Sequence, residues 1–216
     1  AQLAARAGVA LVLDRCVGVD PDARMVSTAS GKSLRYDIAS FDTGGVGRGA
    51  AQIGDDPRLI DVRPIGAFVD RMAALPALRR VVVAGGGAGG VELAFALRNR
   101  AGADIRPDVT LVAGHGGILP SFTPAVQRRV ARALARQGIT VIAHNARIAG
   151  DMLMAGEQSL EPADVIIAAT GSAAPQWARQ SGLATDAAGF IAVDAYQRSA
   201  SHPHIFAAGD VAARTD

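Results

Sequence analysis

The residues whose types and spacing can do chemistry lie in residues 80–92, RVVVAGGGAGGVE. Gly85, Gly87 and Gly90 form G-x-G-x-x-G, with Gly86, Ala88 and Gly89 between them. The glycines divide the work. Gly85 permits a tight turn, Gly87 lets backbone come close to a pyrophosphate, and Gly90 lets a helix pack close on a strand. The motif carries meaning only in its setting. Residues 81–84 precede it as a continuous apolar run, the pattern of a strand buried on both faces. A helical pattern follows, with Val91, Ala94, Phe95 and Arg98 on one face and Leu93 and Leu97 beside them. The N-terminus of such a helix offers N–H groups without carbonyl partners and the positive end of a dipole. The chemistry this order predicts is binding of a dinucleotide through its phosphates. The competing reading is a glycine-rich turn in an α/β fold that binds nothing.

Composition sets the frame that must position this turn. The chain has 216 residues, enough for one large domain or two small ones. Half of it is hydrophobic, only 4% is aromatic, and there are 25 glycines, which suits α/β architecture with close helix–sheet packing. The net charge of +2 and the scattered arginines leave no nucleic-acid footprint. Arg128, Arg129, Arg132 and Arg136 read as the solvated face of one helix. Cys16 is the single cysteine, so no disulfide within the chain and no cysteine metal site can form. It reads as a small buried hydrophobe. No apolar run approaches the roughly 20 residues of a membrane-spanning helix, and the first residues do not read as a signal peptide, although the start looks cut.

Taken in order, residues 1–7 read as the last turns of a helix capped by Gly8. Residues 9–13 and 16–19 are β-like, and residues 24–28 lead to a hairpin turn at Ser30 and Gly31. Residues 38–41 form another strand. Residues 44–60 read as a linker. Gly45, Gly47 and Gly49 could form a phosphate loop, but no helical pattern follows them. Residues 63–75 read as a helix with Pro64 in its first turn and Ile65, Phe68, Val69 and Met72 facing the core. The glycine unit runs over residues 80–100, with Gly102 beyond the helix. A second strand at 109–112 precedes a helix N-capped by Thr123 and Pro124, with Val126, Val130, Ala133 and Leu134 as its buried stripe. A third strand covers 139–143. This β-α-β-α-β series fits a mononucleotide-binding half of a doubly wound sheet. Residues 146–162 read as a small antiparallel excursion before a strand at 165–168. A short helical stretch at 175–181 and strands at 190–193 and 205–208 complete the chain.

Three segments now stand in order: VVVAGGGAGGVE at 81–92, AATG at 168–171 and HIFAAGD at 204–210. Together they resemble the pyridine nucleotide–disulfide oxidoreductase superfamily of two-dinucleotide flavoproteins. YDIASFDTGG at 36–45 and VRPIGAFVDRM at 62–72 make the chain most similar to type II NADH dehydrogenases. They make it more similar still to FAD-dependent oxidoreductases found beside, or fused to, selenide, water dikinase. The resemblance implies a Rossmann-like NAD(P)-binding domain at 61–171, inserted in an incomplete FAD-binding domain made of residues 1–60 and 172–216. It implies NADH rather than NADPH as reductant, with NADPH still open, and FAD in the intact protein. Glu92 matches a family glutamate near the nicotinamide; otherwise it is a helix-start carboxylate favoured by the dipole. Thr170 and Gly171 match the turn where the chain leaves the NAD domain. Gly209 and Asp210 match the segment that hydrogen-bonds the ribityl chain of FAD. Asp42, Thr43 and Gly44 match a first crossover near the flavin.

Three departures shape the expected function. Nothing in residues 1–40 resembles the glycine loop of an FAD site, so the chain reads as an internal fragment that does not hold FAD by itself. The ribose-binding acid expected at the end of the second strand is replaced by Ala113, Gly114 and His115, and Asp108 is at the wrong end. With Cys16 alone a disulfide acceptor is not supported, so the electrons are expected to pass to a quinone, oxygen, a small oxidant or a protein partner. No catalytic acid or base is required for hydride transfer and none is assigned. His202 and His204 lack further ligands, so no metal site is assigned. Trp177 reads as packing. The expectation is an NADH-binding central part of an FAD-dependent oxidoreductase, cytoplasmic or peripheral to the inner face of a membrane, with its oligomeric state open. The alternative is a non-catalytic nucleotide-binding or interaction module that has lost the flavin.

Overall fold

A five-stranded, all-parallel sheet carries the glycine turn. In the computed structural model, which describes residues 2–100 and 106–215, the chain divides into two compact units. One comprises residues 46–172; the other joins the residues up to 45 with those from 173 onward. Gly102 lies outside the described residues.

Besides a two-residue strand at Val46–Gly47, the elements within 46–172 are α1 (Gly49–Ile53), β1 (Leu59–Asp61), α2 (Ile65–Ala74), β2 (Arg80–Ala84), α3 (Ala88–Arg98), β3 (Asp108–Val112), α4 (Pro124–Arg136), β4 (Thr140–Ile142), β5 (Ala146–Ala149), β6 (Met152–Ala155), β7 (Gln158–Ser159) and β8 (Val165–Ala168). The sheet order is β1-β8-β2-β3-β4. Its register runs Leu59–Ile166–Val82–Thr110–Thr140 across the five strands. Adjacent parallel strands need crossovers of a dozen or more residues, and α3 and α4 supply them.

Both faces of the sheet are covered, which explains why its central strands are apolar without alternation. On one face Val81, Val83, Val109, Leu111, Val165 and Ile167 pack on Phe68, Val91, Ala94, Leu97 and Leu134 of the helices. On the other, Val82, Ala84, Val112, Ile166 and Ala168 pack on Ile53 and on Leu153 and Ala155 of an antiparallel meander. That meander, β5-β6-β7, is the excursion expected between 146 and 162. Asp164 ties the start of β8 to the start of β2: its Oδ2 accepts the N–H groups of Arg79 and Arg80 at 2.6 and 2.8 Å.

Residues 44–60 are not a linker. They hold α1 and the edge strand β1. Gly47 and Gly49 are small because Asp61 lies against them, and its Oδ1 accepts the Gly49 N–H at 2.7 Å. No phosphate loop is formed there. Four further expectations need correction. Residues 9–13 form no strand, and Leu11, Val12 and Leu13 are exposed. Ile65 and Val69 are exposed, because α2 touches the sheet edge along the narrow strip of Phe68 and Met72. Val126 is exposed on α4, whose buried contact is Leu134. Thr123 occupies the N-cap position of α4, but its hydroxyl makes no capping bond.

Asp56 and Arg58 clamp the entry to β1. Arg58 Nε and Nη2 donate to the two Asp56 carboxylate oxygens at 2.8 and 2.6 Å, and Nη2 also donates to the Asp151 carbonyl at 3.1 Å. The Arg58 side chain, with its own N–H, holds the Asp56 carboxyl below its ordinary value of 3.8. A carboxyl lowered on folding stabilises the fold above its unfolded pKa and ceases to do so as pH falls through its folded pKa. Asp56→Asn should therefore cost about 1–2 kcal/mol at pH 7 in urea unfolding. The gap from wild type should shrink as the pH is lowered through 3.8 and below. A gap that is constant with pH would show that charge has no part in the clamp.

The other unit contains a three-stranded antiparallel sheet, Cys16–Asp20, Met25–Thr28 and Ser33–Arg35. It also has two parallel pairs, Ala39–Phe41 with Ile205–Ala207 and Ile191–Val193 with Ala212–Arg214. Its core is built on Phe41, Trp177, Ile191 and Ile205, with the Trp177 ring 5.2 Å from that of Phe41. Cys16 is half-buried against this core. Among the described residues no helix is long and apolar enough to cross a membrane.

Candidate dinucleotide site

At the carboxyl ends of β2, β3 and β8, the turn after β2 opens on a cavity of about 770 Å³. Such a position is where open α/β sheets take ligands. Gly85, Gly86, Gly87, Ala88, Gly89, Ala113, Gly114, Thr170 and Gly171 line it, so nine of the expected nucleotide residues are brought together.

The glycines sort by what surrounds them. Gly85 has φ +134°, and a side chain there would run into the Ala169 carbonyl. A Cβ on Gly90 would run into the Gly85 carbonyl, so this glycine sets the approach of α3 to β2. Gly90 is buried beneath the turn rather than in the cavity. Gly87 and Gly89 differ: a Cβ on either meets nothing within 4 Å. They face the cavity, and only a ligand would need them small.

Gly87 caps α3 without any side-chain bond. The N–H groups of the first turn have no carbonyl one turn earlier and are available to phosphate oxygens. Thr170 adds a buried hydroxyl with no hydrogen-bond partner among the described residues, on the wall of the same cavity. Buried polar groups ordinarily have partners, so an orphan here suits a polar ligand. The open glycines, the helix N-terminus and the orphan hydroxyl together fit a dinucleotide phosphate.

Glu92 is exposed on α3 and is not among the residues lining the cavity. Lining residues to which the sequence reading gave no nucleotide role include Gln52, Ile53, Val62, Arg63, Asn145, Ala146 and Ser172. Gln52 and Ile53 come from the stretch taken as a linker, and Val62 and Arg63 from the start of the 62–72 segment. Asn145 sits just past β4, a strand end that the parallel order could have flagged.

In the other unit the flavin-type segments are neighbours. Ala39–Phe41 and Ile205–Ala207 pair in parallel, and the Ala208 N–H donates to the Phe41 carbonyl at 2.9 Å. Their carboxyl ends therefore bring Asp42, Thr43 and Gly44 beside Gly209 and Asp210. A Cβ on Gly209 would run into Asp42 Oδ1. These are the residues that the resemblance expects to flank a flavin. No G-x-G-x-x-G occurs in residues 1–45 or 173–216 to cradle its pyrophosphate.

Near this segment His202 Nε2 lies 3.6 Å from Asp22 Oδ1, and His204 Nε2 lies 3.1 Å from the Pro21 carbonyl. Among the described residues no group of three His, Cys, Asp or Glu could hold a metal ion.

A parallel sheet with a glycine turn at its carboxyl edge, in a chain whose other unit carries flavin-type segments, is the pattern of a two-dinucleotide oxidoreductase fold. The chain belongs to the pyridine nucleotide-disulphide oxidoreductase family, whose pattern matches residues 2–216. It is 30% identical to an NADH dehydrogenase-like protein of Mycobacterium tuberculosis over 226 aligned positions, covering 96% of this chain and 56% of that protein. It is 28% identical to monodehydroascorbate reductase 5 of Oryza sativa subsp. japonica, covering 93% of this chain and 42% of that protein. Its structure matches that of an FAD-dependent pyridine nucleotide-disulphide oxidoreductase from Desulfovibrio vulgaris with a TM-score of 0.74 at 26% identity, over 95% of this chain and 55% of the other. Putidaredoxin reductase in its covalent complex with putidaredoxin shares the fold, with a TM-score of 0.77 at 22% identity over all of this chain and 54% of the other. The chain spans about half the length of these relatives.

Proposed function

We propose that this chain is the pyridine-nucleotide-binding central part of an FAD-dependent NAD(P)H oxidoreductase. The observation that carries this reading is the cavity at the glycine turn, where Gly87, Gly89 and the orphan hydroxyl of Thr170 converge. A bound FAD would supply the hydride-accepting and electron-passing chemistry. The chain's own part is to bind and orient. The α3 N-terminus holds the pyrophosphate, the residues after β3 meet the adenosine end, and Thr170 and Gly171 approach the nucleotide from β8. No side chain is assigned as acid or base.

NADH is the expected donor, supported by the likeness to an NADH dehydrogenase-like protein. The acceptor is a quinone, oxygen, a small oxidant or a protein. Cys16 as the lone cysteine supports a non-disulfide acceptor. The NAD(P)H domain spans 61–171 by resemblance and takes in 46–60 by packing, because α1 and β1 join its core. Thr43, Gly44, Gly209 and Asp210 are proposed as flavin contacts of the flanking segments.

Absorbance of the longer protein tests this reading. A flavin spectrum bleached by NADH or NADPH is the expected result. A colourless protein that cannot be reconstituted with FAD would contradict it and would favour a non-catalytic nucleotide-binding module.

A further inference from the structure

The adenosine end of the cavity lacks the carboxylate that an NAD site ordinarily places after its second strand, and the structure shows what stands there. The ends of β3 and β4 are laced together. The Ala113 N–H donates to the Ile142 carbonyl at 2.8 Å and the Gly114 N–H to the His144 carbonyl at 3.0 Å. Asn145 lines the cavity beside Gly114, and its Oδ1 accepts the His115 N–H at 3.4 Å. The His115 and His144 rings meet edge to face, with centroids 5.5 Å apart. All three side chains are exposed; Asn145 lines the cavity, and the two histidines lie on the adjoining loops, next to Gly114 and Asn145, without lining it.

The chemistry of this cluster is that of donors. With Oδ1 turned to a backbone N–H, Asn145 offers its NH₂, and each neutral imidazole carries one N–H. A ribose 2′-hydroxyl is selected by a carboxylate acceptor, whereas a 2′-phosphate needs donors and is repelled by a carboxylate. Among the described residues lining the cavity there is no Asp or Glu, and Arg63 is the charged one.

We propose that Asn145 and His115 make this end of the site accept a 2′-phosphate as readily as a 2′-hydroxyl, so that the chain binds NADPH and NADH with similar affinity. This rests on the reading of the cavity as a nucleotide site. Asn145 is the position where discrimination is set. Asn145→Asp would keep an acceptor for the His115 N–H and would place a negative charge against the 2′-phosphate.

Calorimetric titration of the whole 216-residue chain with NADH and with NADPH, at one fixed ionic strength, tests the proposal. The expected result is two Kd values within about tenfold of each other, a difference no larger than one modest contact. In Asn145→Asp the NADPH Kd should rise about tenfold or more while that for NADH holds or improves. His115→Glu, with its carboxylate on the adjacent loop, should act in the same direction. Circular dichroism confirms that each variant is folded; if one is not, the other variant and the wild-type ratio decide. A wild-type preference for either nucleotide beyond about tenfold overturns the proposal and leaves the nucleotide site standing. Unchanged NADPH affinity in both folded variants removes Asn145 and His115 from the role. Binding of neither nucleotide to wild type overturns the site reading itself, and this proposal with it.

Discussion

Gly87→Val should leave the chain folded and remove nucleotide binding. The backbone at Gly87 has φ −70° and ψ 178°, an extended conformation that any residue adopts. An added Cβ meets nothing within 4 Å. Neither strain nor a clash opposes the substitution, so stability in urea unfolding should change by no more than the ~0.5 kcal/mol typical of surface changes. The valine methyls would instead project into the cavity. Phosphate oxygens must come within about 2.9 Å of backbone N–H groups to bond them, and a branched side chain holds them off. The NADH Kd, read by calorimetry, should rise about a hundredfold or more, equivalent to roughly 2.7 kcal/mol. Equal affinity in the two proteins would remove the glycine turn from the site.

Gly90→Val should do the reverse and break the fold. Here the added carbon falls on the Gly85 carbonyl, backbone against backbone, with Ala169 Cβ 3.5 Å away on another side. Gly85 cannot yield, because at φ +134° it already lies against the Ala169 carbonyl. Relief requires α3 to lift from β2, which exposes Val91, Ala94 and Leu97. Overpacking costs about 1–3 kcal/mol where side chains can give. With backbone driven into backbone and three buried residues displaced, the loss should exceed about 4 kcal/mol, a large part of the 5–15 kcal/mol that holds a typical domain together. Urea unfolding should show Gly90→Ala well below wild type and Gly90→Val unfolded or insoluble. A Gly90→Ala variant with the wild-type midpoint would contradict this packing. The pair of substitutions separates two jobs within one motif: Gly87 is small for a ligand, Gly90 for the fold.

The central β-α-β-α-β series was legible because its signals are long. An unbroken apolar strand, a three-glycine turn and helices of eleven and thirteen residues leave few alternatives. The stretch from 46 to 61 was not legible, for a matching reason. A five-residue helix is too short for a 3.6-residue period, and a three-residue edge strand carries too few positions to show a pattern. Gly47 and Gly49 then looked like material for a phosphate loop, whereas their smallness answers to Asp61, which only the folded sheet brings against them. Helical periodicity placed Ile65 and Val69 with Phe68 and Met72, but a helix at a sheet edge buries a narrower strip than its apolar face. Thr170 was legible through its AATG segment, while the orphan state of its hydroxyl was not. Asn145 stands 31 residues beyond Gly114 in sequence and reaches the cavity only because parallel strands end side by side.

The central claim, that the turn after β2 is the seat of a pyridine nucleotide, is tested most directly by an NMR titration. At 22.0 kDa the chain suits amide spectra of ¹⁵N-labelled protein, recorded as NADH is added to saturation. The account predicts that the largest shifts fall on the amides of Gly86, Gly87, Ala88, Gly89 and Thr170. Saturating NADH that leaves these five amides unmoved would contradict it.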